Sequence, residues 1–368
     1  MLSVVSRFAL AILGVGSSLS AAPTTADFLP PALPWSGASE TLIAPPTHPW
    51  VTPAELTDLT DSPNYDDTIA WLQKLADASP LVSLQRFGRS PQGRLLVAVI
   101  ASRSGVSEFG QLPATGLPTL LAQAGIHSGE IDGKDAGMML LRDLAFGGKA
   151  ALLDHANFLF VPIFNADGHE RRSEWNRPNQ RGPIHQGWRT TAQNLNLNRD
   201  YMKAAAPEMR AMLRLIQLAQ PSLYLDLHVT DGIDYQYDIT YGFAGRDGRF
   251  AWSPQSGAWL EQHWRPAMDA ALSAAGHIPA RWSSPPMTAI SRKASSTVRP
   301  VRVSPTATAT CVTCRRCWWK IIRSNPTANA CSAPTCCSKR RCARSANTAR
   351  LSRPPSPPMP RRARRRSR

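Results

Sequence analysis

The first 310 residues of this 368-residue chain contain no cysteine, so neither disulfides nor thiolate metal sites hold them together. All seven cysteines fall between Cys311 and Cys342. Acidic residues show the complementary gap, since none follows Asp269. There is also no apolar run of the roughly 20 residues that a membrane-spanning helix needs. The nearest approach is N-terminal: Arg7 precedes an apolar stretch over residues 8–16, and small residues continue through Ser20, Ala21 and Ala22. That succession reads as an export signal over residues 1–22 and implies a secreted or periplasmic protein with no membrane span. No internal repeat is present.

The formal charge of +16 suggests a polyanion partner, but it is an average over two unlike parts. Residues 281–368 carry 21 of the 42 Lys and Arg and no acid. The first 280 residues hold the other 21 against all 26 Asp and Glu, a net of −5. The body is mildly acidic, and no nucleic-acid partner is expected for it.

Residues 23–60 hold Pro30, Pro31, Pro34, Pro45, Pro46 and Pro53 and read as an extended lead-in. From Tyr65 the pattern becomes globular. Ile69, Leu72 and Leu75 recur at helical spacing until Pro80. Residues 81–87 alternate as a half-buried strand does, and the turn at Ser90, Pro91, Gln92 and Gly93 leads to an apolar strand over 95–100. Strands follow over 119–126 and 157–164, with a helix over about 134–146 between them. Pro207 opens a helix whose apolar face is Met209, Met212, Leu213 and Ile216. A further strand covers 222–227. Strands alternating with helices predict an α/β domain over 61–280, with a mixed, mostly parallel sheet and helices on both faces.

The polar groups that matter sit at strand ends. His127 and Glu130 lie three apart in the turn after the 119–126 strand, so both side chains can converge on one ion. His228 ends the 222–227 strand. Two imidazoles and one carboxylate form a three-ligand set that leaves a fourth position for water, and these donor types suit zinc. Asp226 is expected to face away from the ion and not to be a ligand. Taken alone, His-x-x-Glu also fits a surface histidine beside a helix-capping glutamate. The segments Asn165-Ala166-Asp167-Gly168 and Asn196-Leu197-Asn198-Arg199-Asp200 favour the first reading.

In this order, these motifs and the turn Gly88-Arg89-Ser90…Gly93-Arg94 resemble the zinc metallocarboxypeptidases of the carboxypeptidase A type, over about residues 65–280. The resemblance implies a carboxypeptidase-like fold and one zinc ion per chain, held by His127, Glu130 and His228; that ligand set belongs to the family. It implies a peptide substrate with a free C-terminus, whose carboxylate Asn198 and Arg199 would bind. It also implies an arginine between Gly168 and Asn198 that polarises the scissile carbonyl, with Arg177 the first choice and Arg172 the second.

The family pattern then breaks. It calls for a general-base glutamate on a late apolar strand, and Asp269, inside the helical stretch 264–275, is the only acid after Glu261. The genetic code offers an account. Cys317-Trp318-Trp319-Lys320 must be encoded TGY TGG TGG AAR, and codons started on the third base read Leu-Val-Glu followed by Asn or Asp. The glutamate is thus encoded across Trp319 and Lys320 but not translated, and residues 281–368 read as an out-of-frame, disordered basic tail behind a C-terminally incomplete domain. The spacing Cys311-x-x-Cys314-x-x-Cys317 fits a zinc knuckle and residues 361–368 a nucleic-acid arm. No apolar core surrounds those cysteines, however.

The sequence therefore predicts a metallocarboxypeptidase that releases C-terminal amino acids, with this literal chain inactive for lack of its base. The alternatives are a zinc amidohydrolase of the same fold acting on N-acyl amino acids, and a catalytically dead zinc- or peptide-binding protein.

Overall fold

A computed structural model describes residues 37–229, 239–243, 253–281 and 307–314. All of them belong to one unit, Met1–Ser324; a second unit, Asn325–Arg368, lies outside the described residues. The expected export signal lies outside them as well. No described helix is long and apolar enough to cross a membrane.

Eight strands form one sheet: β1 (Val82–Arg89), β2 (Leu95–Ala101), β3 (Thr119–Gln123), β4 (Asn157–Val161), β5 (Leu223–His228), β6 (Ile239–Phe243), β7 (Pro279–Arg281) and β8 (Ala307–Cys314). Their order is β1-β2-β4-β3-β5-β8-β6-β7. The pairs β3–β4, β3–β5, β5–β8 and β6–β7 are parallel, whereas β1–β2, β2–β4 and β6–β8 are antiparallel. The sheet is mixed, and the central pairs that lead to the site are parallel.

Helices cover both faces. On one, α1 (Tyr65–Ala78) and α2 (Asp132–Ala145) bring Trp71, Leu72, Leu75, Met138, Leu141 and Leu144 against Val99, Ala122, Phe158 and Phe160. Asn64 caps α1 by accepting from the Asp67 N–H at 2.8 Å. Gly137 lets α2 approach closely, because a Cβ there would lie 2.1 Å from Phe160 Cζ. On the other face, α4 (Pro207–Ala219) packs Met209, Met212, Leu215 and Ile216 on Ile100, Leu121, Leu159 and Val161. A short α3 (Ala166–Glu170) lies between the last two helices in sequence. Helical residues from Pro254 to Ala274 close the described chain before β7, with Leu260–Trp264 wound as a π turn.

Two expectations need correction. Residues 37–60 are not an extended lead-in: Ala44, Thr52, Ala54, Glu55 and Leu59 are buried. Glu55 accepts twice from Arg142 of α2, and Trp50 stacks on Phe146 at 4.6 Å. Prolines set local φ values there, but these contacts fold the segment onto the body. Second, the tail was expected to lack packed structure throughout, yet its residues 307–314 form β8, hydrogen-bonded between β5 and β6. Main-chain pairing with a vacant sheet edge needs no particular side chain, so an Ala/Thr-rich stretch can fill it. The cysteines after Cys314 and the terminal arginines lie outside the described residues.

Candidate metal centre

Neighbouring parallel strands β3 and β5 end on the same side of the sheet, where open α/β sheets place their sites. After β3 the chain turns sharply. Gly125 takes a left-handed φ of 67°, which a side chain would strain. The Glu130 N–H donates to the His127 carbonyl at 2.9 Å, which brings the two side chains together. His127 Nδ1 lies 3.0 Å from Glu130 Oε1, and His228 Nδ1 lies 2.8 Å from Glu130 Oε2. The Val229 N–H also donates to Oε2, at 3.1 Å.

One nitrogen of each histidine and one Glu130 oxygen lie within 4.8 Å of one another, and all three residues are buried. Tetrahedral zinc with bonds of about 2.0–2.2 Å needs donors roughly 3.4 Å apart. The Glu130 contacts are a little shorter than this and the 4.8 Å bound on the set is longer, so side-chain adjustment would bring the donors to that spacing, and the donor set suits zinc. The residues present therefore fit the ion.

Glu130 is buried among His127, His228 and Arg177. Burial alone would raise its carboxyl, but His127, His228 and Arg177 outweigh burial and hold it well below the usual carboxylate range. Burial likewise opposes charge on His228, yet Asp226 and Glu130 prevail and push it up to about 10. A metal ion held by these donors would compete with protons for them.

The motifs outside the donor set prove to be the supports that carry the neighbouring loop. Asp167 accepts from Ser90 Oγ at 2.7 Å, from the Gln92 N–H at 3.0 Å and from Arg94 at 2.9 Å, which ties the Asn-x-Asp-Gly segment to the turn after β1. Asn165 caps α3 through the Gly168 N–H and donates to the Arg189 carbonyl at 3.2 Å. Gly168 lets the Trp188 N–H reach its own carbonyl at 2.7 Å, because a Cβ would meet the Trp188 oxygen at 2.6 Å. Together these bonds hold residues 187–189 against the site.

Of the sequence-predicted arginines, Arg177 joins the site, with Nη2 3.0 Å from Glu130 Oε1 and its side chain buried. Arg172 does not. It donates to the Ser62 carbonyl at 2.8 Å and lies 3.4 Å from Asp61, lining a separate surface pocket. Arg189, which sequence reasoning passed over, places Nη1 3.6 Å from Glu130 Oε1 with about a third of its side chain exposed. It lay inside the interval searched, but nothing local distinguished it from its neighbours. Asn198 Nδ2 lies 3.5 Å from His228 Nε2, and Arg199 is exposed, with Nη1 donating to the Asn198 carbonyl at 2.7 Å. Asn196, also missed, accepts from the Asn198 N–H and sits 3.3 Å from His127 Nε2.

Asp226 was expected to face away from His228, and this is wrong. Residues two apart on a strand share a face, and Asp226 Oδ2 lies 3.1 Å from His228 Nε2. It stands behind the donor set and is not part of it.

Comparison with known proteins gives the family. The family model described as zinc carboxypeptidase matches residues 68–284. Carboxypeptidase 2 of Trichophyton equinum is 26% identical over 188 residues, covering 50% of this chain and 31% of that protein. The chain thus spans about a third of the length of the curated relatives it matches. Among solved structures, a metallo-carboxypeptidase from Pseudomonas aeruginosa in complex with (2-guanidinoethylmercapto)succinic acid is 21% identical, with a TM-score of 0.46 and coverage of 68% of this chain and 61% of that one. A metallo-carboxypeptidase from Burkholderia cenocepacia is 18% identical, with a TM-score of 0.45 and coverage of 67% and 59%.

Proposed function

Because the chain belongs to the zinc carboxypeptidase family, a family of hydrolases, we propose that its site is built to release C-terminal amino acids from peptides, with His127, Glu130 and His228 holding one zinc ion. The observation that carries this reading is the convergence of those three donors at the ends of β3 and β5.

Zinc bound there would supply Lewis-acid polarisation of the scissile carbonyl and a water whose pKa is lowered toward about 7. The chain's own groups would do the rest. The exposed guanidinium of Arg199, with Asn198 beside it, suits a substrate carboxylate, since planar paired donors match its two oxygens. Arg189 is the better-placed arginine for a substrate carbonyl, being partly exposed beside Glu130, whereas Arg177 is buried behind it. Arg177 instead anchors Glu130. The export signal, and with it a secreted or periplasmic location, belongs to the same reading.

The general base is the missing part. Asp269 is engaged with the Tyr241 hydroxyl and lies 3.7 Å from Arg265, so it is committed to structure. β8 runs parallel to β5 with Thr313 paired to His228, so its carboxyl end lies beside the donors. In this reading the restored frame would end an apolar strand in the Leu-Val-Glu encoded across residues 317–320, which begin three residues beyond the end of β8. In this reading the literal chain binds zinc and lacks substantial peptidase activity.

The test compares zinc content and peptidase activity in the chain as given, in its His228→Ala variant, and in a chain with the frame shifted near codon 281. We expect one zinc in the first and third and none in the variant. C-terminal release from peptides should appear only in the frame-shifted chain, exceeding hydrolysis of N-acyl amino acids; a lost general base costs about 10²–10⁴ in rate. Unchanged zinc in His228→Ala would refute the ligand set. Equal peptidase rates in the two frames would place the base within residues 1–280.

A further inference from the structure

Beneath His228 a line of buried polar side chains crosses from β5 to β3. The inner nitrogen of His228, Nδ1, faces Glu130, and the outer one, Nε2, lies 3.1 Å from Asp226 Oδ2. Asp226 Oδ1 accepts from Gln123 Nε2 at 2.9 Å. Gln123 Oε1 accepts in turn from the Tyr224 hydroxyl at 2.7 Å, and the Tyr224 and Tyr201 hydroxyls are 2.5 Å apart. Gln123 and Asp226 are cross-strand partners in the β3–β5 register. Both are buried.

The other histidine is served differently. His127 Nε2 meets the neutral amide oxygen of Asn196 at 3.3 Å. A carboxylate withdrawn from water is costly, and here that cost is carried beside His228, where an amide serves His127. Asn198 Nδ2 also approaches His228 Nε2, at 3.5 Å, but an amide nitrogen only donates and cannot take the ring proton.

We propose that Asp226 is a positioning residue for the metal centre. It accepts a hydrogen bond from the Nε2–H of His228, which fixes the tautomer that leaves Nδ1 free toward the ion and makes this imidazole the stronger donor of the two. Gln123, held by the Tyr224 hydroxyl, keeps the carboxylate in place. The inference rests on the reading of His228 as a zinc ligand.

The experiment measures zinc dissociation constants by chelator competition on the full chain and on Asp226→Asn, Tyr224→Phe and His228→Ala, with circular dichroism to confirm folding. The visible ligand-field spectrum of the cobalt(II)-loaded proteins is recorded alongside. Asp226→Asn should bind zinc about 10–100-fold more weakly, with a shifted cobalt spectrum. Tyr224→Phe should move both readouts by less in the same direction. Wild-type zinc affinity in folded Asp226→Asn would overturn the proposal. If that variant fails to fold, wild-type affinity and spectrum in Tyr224→Phe would overturn it instead. Stoichiometric zinc in His228→Ala, or none in the parent chain, would overturn the ligand reading and this inference together. A loss in Asp226→Asn beside a parent that binds one zinc supports both.

Discussion

Removing the Glu55 carboxylate tests whether residues 37–60 are part of the folded domain. Its two oxygens accept from the backbone N–H groups of Ala44 and Thr52, both at 2.8 Å, and from Thr52 Oγ1 at 2.9 Å. They also accept from Arg142 at 2.7 and 2.8 Å. Breaking a buried ion pair from one side typically costs about 3–5 kcal/mol. Arg142 would keep Asp143 at 2.9 Å and the Leu42 carbonyl at 2.8 Å, which favours the lower end. The segment can also peel away and let its orphaned N–H groups meet water, which caps the loss. Glu55→Ala should therefore cost about 3 kcal/mol, or about 1 M in urea midpoint for an m-value near 3 kcal/mol per molar. Trp50 and Trp71 lie along the contact, Trp71 donating to the Val51 carbonyl, so their fluorescence reports it. Arg142→Met should cost a similar amount, and the double variant little more than either single change. Costs that simply add, or a midpoint shift below about 0.3 M, would show that the pair does not hold the segment.

Two further predictions concern the surroundings of the site. Gly129→Ala would put a Cβ 2.3 Å from Arg177 Cδ and 2.9 Å from the Gly187 carbonyl, so urea unfolding should show a loss of about 1–3 kcal/mol from overpacking; unchanged stability would mean the loop yields freely. His169 is pushed down to about 4, first by burial and then by the Lys134 ammonium, which lies 3.1 Å from its Nε2. A depressed histidine stabilises the fold fully above its unfolded value near 6.5 and loses that contribution as pH falls toward 4. Asp135, raised to about 6 by burial, works in the opposite sense over much of that range and remains in both proteins. His169→Gln should therefore flatten the acid side of the stability profile by up to about 3 kcal/mol between pH 6.5 and 4. Parallel profiles for the two proteins would contradict this.

The metal donors were legible because His127 and Glu130 are local to one turn and His228 closes a strand. The stretch Leu223 to His228 alternates leucine with Tyr224, Asp226 and His228. That period of two, read strictly, already places Asp226 on the ligand's face; the misreading was one of register. Glu55 and Arg142 could not be paired from sequence, because 87 positions separate them and neither sits in a periodic pattern. Arg189 was hidden for a related reason. Its position depends on bonds from Asn165 and Gly168 to residues 188 and 189, and such loop docking leaves no trace in residue spacing.

The interior position of β8 sets an order of assembly. β1 to β5 can pair as soon as residue 228 has been made, but β6 and β7 reach the rest of the sheet only through β8, which is synthesised last. Until then β5 is an exposed edge, with unpaired main-chain groups beside the metal donors. Such an edge templates pairing with other chains. A chain whose β8 has not yet paired would therefore be prone to self-association at the strand that carries His228.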